Sequence, residues 1–271
     1  MTTEIAPPPR TQLPAMGLAY ALGAFNDNFF KQAALLLAAS AGLHSLQGIA
    51  TLLFALPFVL FSAWAGWLAD HLPKRSIVLG SKVLELAAML LGLLALFALH
   101  WSGMVAVVCL MGLQSTLFSP ALNGSIPESF AASAVPRVNA LFKLITTAAI
   151  LLGMVLGGVI LDLPQPGAVF FPTPEGMYGF GRFAVGLCAV FTSLIGLAAA
   201  RAMRKSAPPS GAGNPFPLFG PFDSLRHALH CRAADRPLFL VLAGEAFFYS
   251  LSTFVLLCIN NLGVNRLGFS L

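Results

Sequence analysis

Asn26-Asp27-Asn28-Phe29-Phe30-Lys31 places an acid, two amides and a base within two helical turns. Asp27 and Lys31 stand four apart with the acid first, the favourable order for a pair on one helix face. The chemistry open to such a set is recognition. A carboxylate receives an ammonium or a metal cation, an ammonium receives a phosphate, and amides supply hydrogen bonds of both kinds. The run sits in the middle of an apolar stretch from Pro14 to Ser40. That length spans a bilayer, and an ionisable group near its centre costs roughly 2.5–3.5 kcal/mol on insertion scales. Such groups face a protein-lined, wet path rather than lipid. A transport route is therefore the first expectation, with the Asp27–Lys31 pair bordering a water-accessible cleft.

Other polar residues in apolar surroundings are few. Lys82 and Glu85 are three apart, Gln114, Ser115 and Thr116 are consecutive, Asn139 and Lys143 share a turn, and Glu245 stands alone. For Lys82, Lys143 and Glu245 the plainer reading is snorkelling or pairing near a helix end. Gln114 and Lys143 are nonetheless grouped with Asn26, Asp27, Asn28 and Lys31 as the candidate substrate-binding set. Cys109, Cys188, Cys231 and Cys258 are isolated, so packing thiols are expected and no metal or cofactor. No phosphate-cradling glycine loop with its lysine and no nucleophile elbow occurs, so no catalytic residue is assigned and no enzyme is expected.

The elements that must position these residues follow from composition. The hydrophobic fraction is 58%, charged residues are 9%, and the mean hydropathy is +0.84. Soluble domains carry roughly 25% charged residues, so an all-α polytopic membrane protein is expected. Apolar runs of about 20 residues predict helices over Pro14–Ser40, Leu46–Ala69, Ile77–Leu99, Gly103–Ala121, Val138–Leu161, Phe183–Ala202 and Leu238–Ile259. The net charge of +5 does not indicate a nucleic-acid partner, because the basic residues are spread over a few loops. Arg10, Lys74, Arg75, Arg137 and the stretch from Arg201 to Arg236 fall on one side of the alternating helices, which places the N-terminus in the cytoplasm. Met1 to Arg10 lacks a basic n-region, and the apolar stretch after it is too long for a signal-peptide core.

Three segments result: a six-helix bundle over 1–202, a cytoplasmic linker over 203–237, and a seventh helix over 238–271 that opens a second bundle. Residues 206–221 are rich in Pro and Gly and read as irregular. Asp223 is placed to cap a short helix through Ala233, with Leu225, Ala228 and Leu229 against Arg226 and Arg232. An amphipathic helix on the inner membrane surface and a plain solvated linker fit that pattern equally. Seven helices are an odd number for a two-bundle transporter, so a partial protein is expected.

Gly66-Trp67-Leu68-Ala69-Asp70-His71-Leu72-Pro73-Lys74-Arg75 resembles the loop signature of the major facilitator superfamily, with Pro73 where glycine is usual. The resemblance implies a charge-locked contact between bundles through Asp70, Lys74 and Arg75, with close backbone approach at Gly66. Gly153-Met154-Val155-Leu156-Gly157-Gly158 resembles the fifth-helix motif of that superfamily, with Met154 where proline is typical. Gly153, Gly157 and Gly158 are expected to pack a neighbouring helix closely. Val108 stands four before Gly112, where drug-exporting branches often carry arginine, which speaks against a proton-coupled drug exporter.

Residues 23–31, the 66–75 loop and the run Gly112-Leu113-Gln114-Ser115-Thr116-Leu117-Phe118-Ser119-Pro120-Ala121-Leu122 together resemble the bacterial lysophospholipid transporters. The resemblance implies movement of lysophospholipids such as lysophosphatidylethanolamine to the inner leaflet of the bacterial inner membrane. It also implies a fused or separate acyltransferase/acyl-carrier-protein synthetase as partner. Alternatives are a carrier for another small solute, driven by protons, a membrane-embedded lipid acyltransferase component, and a non-transporting lipid-binding scaffold. His230 and Asp235 match the His-four-residues-Asp pattern of glycerolipid acyltransferases, but a short linker has no room for the fold that would position them.

Overall fold

The computed structural model describes residues 11–163, 179–204, 216–223, 226, 229–230 and 235–265. Seven helices account for nearly all of them: α1 Gln12–Ser40, α2 His44–His71, α3 Lys74–Phe97, α4 Trp101–Ser129, α5 Val135–Leu161, α6 Gly179–Ala202 and α7 Arg236–Asn265. Among the described residues, α2 to α7 are long and apolar enough to cross a membrane. The polar run at 26–32 keeps α1 out of that group, and α1 is also the helix that touches every other one. The two facts belong together, because a helix in the middle of a bundle meets protein rather than lipid and can carry polar side chains.

The bundle has an internal symmetry. α1 packs on α5 as α2 packs on α4, α3 meets α4 as α6 meets α1, and α3 meets α6. Exchanging α1, α2 and α3 with α4, α5 and α6 leaves this pattern unchanged, as expected for a repeated three-helix unit. α3 and α6 form the back. α1, α2, α4 and α5 form the front, and α7 lies there against α1 and α2.

Missing side chains set the closest approaches. A Cβ on Gly112 would lie 2.2 Å from the carbonyl oxygen of Phe54, at the α2–α4 contact. Cβ atoms on Gly153 and Gly157 would lie 2.6 Å from the carbonyl oxygens of Phe25 and Phe29, at the α1–α5 contact. Gly158 meets only the Leu36 side chain, and Gly66 has nothing within 4 Å. Among the described residues, none comes close to α2 at Gly66. Gly112→Ala should force α4 off α2 at roughly 1–3 kcal/mol. Gly66→Ala should be neutral or gain up to about 1 kcal/mol of helix propensity. Thermal unfolding in detergent checks the contrast, and equal loss at both positions would refute this account of the α2–α4 seam.

α4 runs past the expected stop at Ala121, through Pro120 and Pro127, to Ser129. Burial of Leu122, Ser125 and Ile126 holds the extension, and membrane helices tolerate proline where neighbours surround it. Beyond α6, Pro221, Phe222, Asp223, Arg226, Leu229 and His230 are helical, so helical structure begins ahead of the expected Asp223 cap. Leu225, Ala228, Arg232 and Ala233 lie outside the residues whose side chains are described.

Candidate functional site

Successive residues on a helix point 100° apart, and this separates the two halves of the polar run. Asn26 faces backwards, fully buried, toward α3 and α6. Its Nδ2 donates to Glu85 Oε1 at 2.9 Å, to Ser193 Oγ at 2.8 Å and to the Ala189 carbonyl at 3.2 Å. Thr192 Oγ1 donates to Asn26 Oδ1. Asp27 faces α4, where Gln114 Nε2 donates to one carboxylate oxygen at 3.1 Å and Ser115 Oγ to the other. Asp27 is 8% exposed and Gln114 2%.

Lys31 does not pair with Asp27. Its Nζ lies 4.4 Å from the centre of the Phe54 ring on α2, a cation–π contact. Asn28 turns its Nδ2 back to the Ala24 carbonyl of its own helix at 2.8 Å. Lys143 is exposed on α5 with no ion pair among the described residues, and Glu245 is exposed on α7. The front site is therefore Asp27, Gln114, Ser115, Lys31 and Phe54. Asn28 and Lys143 stand apart from it, and Asn26 belongs to the back.

Lys82 and Glu85, read from their spacing as near a helix end, form a pair inside the back of the bundle. Lys82 and Glu85 are both fully buried and 2.7 Å apart, with Lys82 Nζ 4.8 Å from the centre of the Phe118 ring. A Cβ at Gly23 would lie 2.9 Å from that ammonium and one at Gly196 3.4 Å from it, so both glycines make its room. The available signal was the i,i+3 spacing in an apolar helix, together with small residues on α1 and α6.

The loop signature resolves into a collar at the end of the bundle where α1 begins. Lys74 pairs with Glu128 of α4, while Arg75 donates to the carbonyls of Met203 at 2.8 Å and Arg201 at 2.6 Å. These contacts lie within the six-helix bundle. Asp70 is exposed, and its side chain has no hydrogen bond among the described residues. At the opposite end, Gln32 Nε2 donates to Asn260 Oδ1 at 3.0 Å, and His44 Nδ1 lies 2.9 Å from Asn261 Oδ1, tying α7 to α1 and α2. An open apolar groove of about 360 Å³ lies between α3 and α4, lined by Leu91, Leu94, His100 and Leu110 among others, away from Asp27.

Asp235 accepts from the Leu238 backbone N–H at 3.0 Å. It caps α7, which gives it a structural role in place of the acid of a His–Asp pair.

The sequence profile of the Major Facilitator Superfamily matches residues 16–271. The chain belongs to the major facilitator superfamily. As a member of this transporter superfamily, it is an integral membrane protein. It is also similar to the lysophospholipid transporter LplT of Escherichia coli (strain K12 / DH10B) and to LplT of Shigella boydii serotype 18, each 32% identical over 152 residues. That stretch is 55% of this chain and 36% of each relative, so the chain matches only about a third of their length.

Proposed function

We propose that the chain is part of a carrier that moves lysophospholipids, such as lysophosphatidylethanolamine, to the inner leaflet of the bacterial cytoplasmic membrane by alternating access. The N-terminus is cytoplasmic in this reading, on the positive-inside rule. The observation that carries it is the front site. A carboxylate held by Gln114 and Ser115 of α4 lies one turn from an ammonium over a phenyl ring of α2. A zwitterionic head group offers the complementary ammonium and phosphate, and one acyl chain asks only for an apolar wall. The name borne by the similar proteins agrees with this chemistry. An acyltransferase/acyl-carrier-protein synthetase that consumes the product rests on the resemblance alone.

The Gln32–Asn260 and His44–Asn261 contacts tie α7 to α1 and α2 on the side away from the N-terminus, and in this reading they are a gate of the alternating-access cycle. A short thiol cross-linker between Gln32→Cys and Asn260→Cys should then stop flux, with its cleavage restoring flux. Undiminished flux in the cross-linked protein would rule out these contacts as a moving gate.

The deciding measurement is transbilayer movement of labelled lysophosphatidylethanolamine in proteoliposomes of the full-length protein. Vectorial movement with competition by unlabelled lysolipid is expected. A pH-gradient-driven flux of another solute without lysolipid competition would replace this reading with that of a proton-coupled carrier.

A further inference from the structure

The segment after α6 exposes more apolar surface than a connection in water should. Leu218 is 77% exposed, Phe219 70% and Phe222 72%. A loose linker would leave their direction open, but this one is held in place. Trp64 Nε1 of α2 donates to the Pro217 carbonyl at 2.7 Å, and the Trp67 ring meets Phe216 edge-on at 5.1 Å. Gly220, with φ +26°, lies against the Trp64 ring, where a Cβ would sit 3.0 Å from it. The bonds Gly220 N–H to Pro217 O and Phe222 N–H to Phe219 O close the turn.

The depth of this clamp is set by α2. Trp64 lies seven residues before the helix end at His71, about 10 Å along the axis at the α-helical rise. That is the zone where tryptophan collects at membrane–water boundaries. Exposed Arg201, Arg204, Arg226 and Arg236 flank the segment at the same end of the bundle, which suits anionic head groups.

We propose that residues 216–222 form an interfacial anchor, in which Leu218, Phe219 and Phe222 enter the head-group–acyl boundary of the leaflet at the basic end of the bundle. The clamp on Trp64 and Trp67 fixes the anchor to α2, so the linker leaves the bundle at a set depth. The inference is independent of what the carrier moves.

Spin labels at Phe219→Cys and Arg226→Cys test it, in the full-length protein with its native cysteines replaced by serine. The protein is placed in nanodiscs of phosphatidylethanolamine and phosphatidylglycerol. Collision with oxygen should dominate for the label at 219, and collision with a water-soluble nickel chelate for the label at 226. Nickel dominance at 219 would make the segment a solvated linker and overturn the proposal. Shielding of 219 from both reagents would make it a protein contact and overturn it equally.

Discussion

Lys82→Met should cost the folded protein roughly 3–5 kcal/mol, enough to empty the membrane of folded carrier. The cost comes from what the substitution leaves behind. Glu85 is fully buried, and its carboxylate is balanced by the Lys82 ammonium at 2.7 Å and by Asn26 Nδ2 at 2.9 Å. With the ammonium gone, one amide and a long contact from Ser193 Oγ at 3.5 Å must hold a buried charge. The double variant Lys82→Met/Glu85→Gln removes both charges and keeps an acceptor for Asn26, so it should recover most of the lost stability. Membrane level and thermal unfolding in detergent read the effect. A single variant as stable as the unmodified protein would show that water or another cation reaches Glu85. A stable double variant that fails to transport would give the pair a part in the cycle beyond tying α1 to α3 and α6.

That pair also marks where sequence reasoning stops. The helices were legible because about 20 apolar residues in a row have one stable solution in a bilayer. Which neighbour a side chain meets depends on the rotation of each helix, which spacing alone does not fix. Asn26 and Asp27 are adjacent in sequence, yet one meets Glu85 and Ser193 while the other meets Gln114 and Ser115. The i,i+4 relation of Asp27 and Lys31 was correct as geometry and wrong as a pair, since the long lysine stem reaches the Phe54 ring instead. Lys74 and Arg75 read as a lock between bundles, and spacing gave no sign that they also meet Glu128 and the carbonyl end of α6. Arg75 there meets the negative end of a helix dipole. Gly112 was noted for the residue four before it, while its own contact with the Phe54 backbone holds α2 to α4.

Asp27→Asn should reduce lysophosphatidylethanolamine flux by roughly 30-fold to several thousand-fold while leaving the membrane level unchanged. The range follows from the roughly 2–5 kcal/mol lost when one partner of a desolvated charge pair is removed, at about 1.4 kcal/mol per factor of ten. The fold should survive because both hydrogen bonds can be kept. An asparagine Oδ1 accepts from Gln114 Nε2 as the carboxylate does, and its Nδ2 donates to Ser115 Oγ once that hydroxyl rotates. Only the charge is lost. Head-group selectivity then separates the two roles that a carboxylate here can have. If Asp27 meets the substrate ammonium, the variant should retain far more transport of lysophosphatidylglycerol, which has no ammonium. If Asp27 holds a coupling cation, both substrates should fall together. Normal lysophosphatidylethanolamine flux in the variant would remove Asp27 from the site, and with it the chemical reason for an acid in the centre of α1.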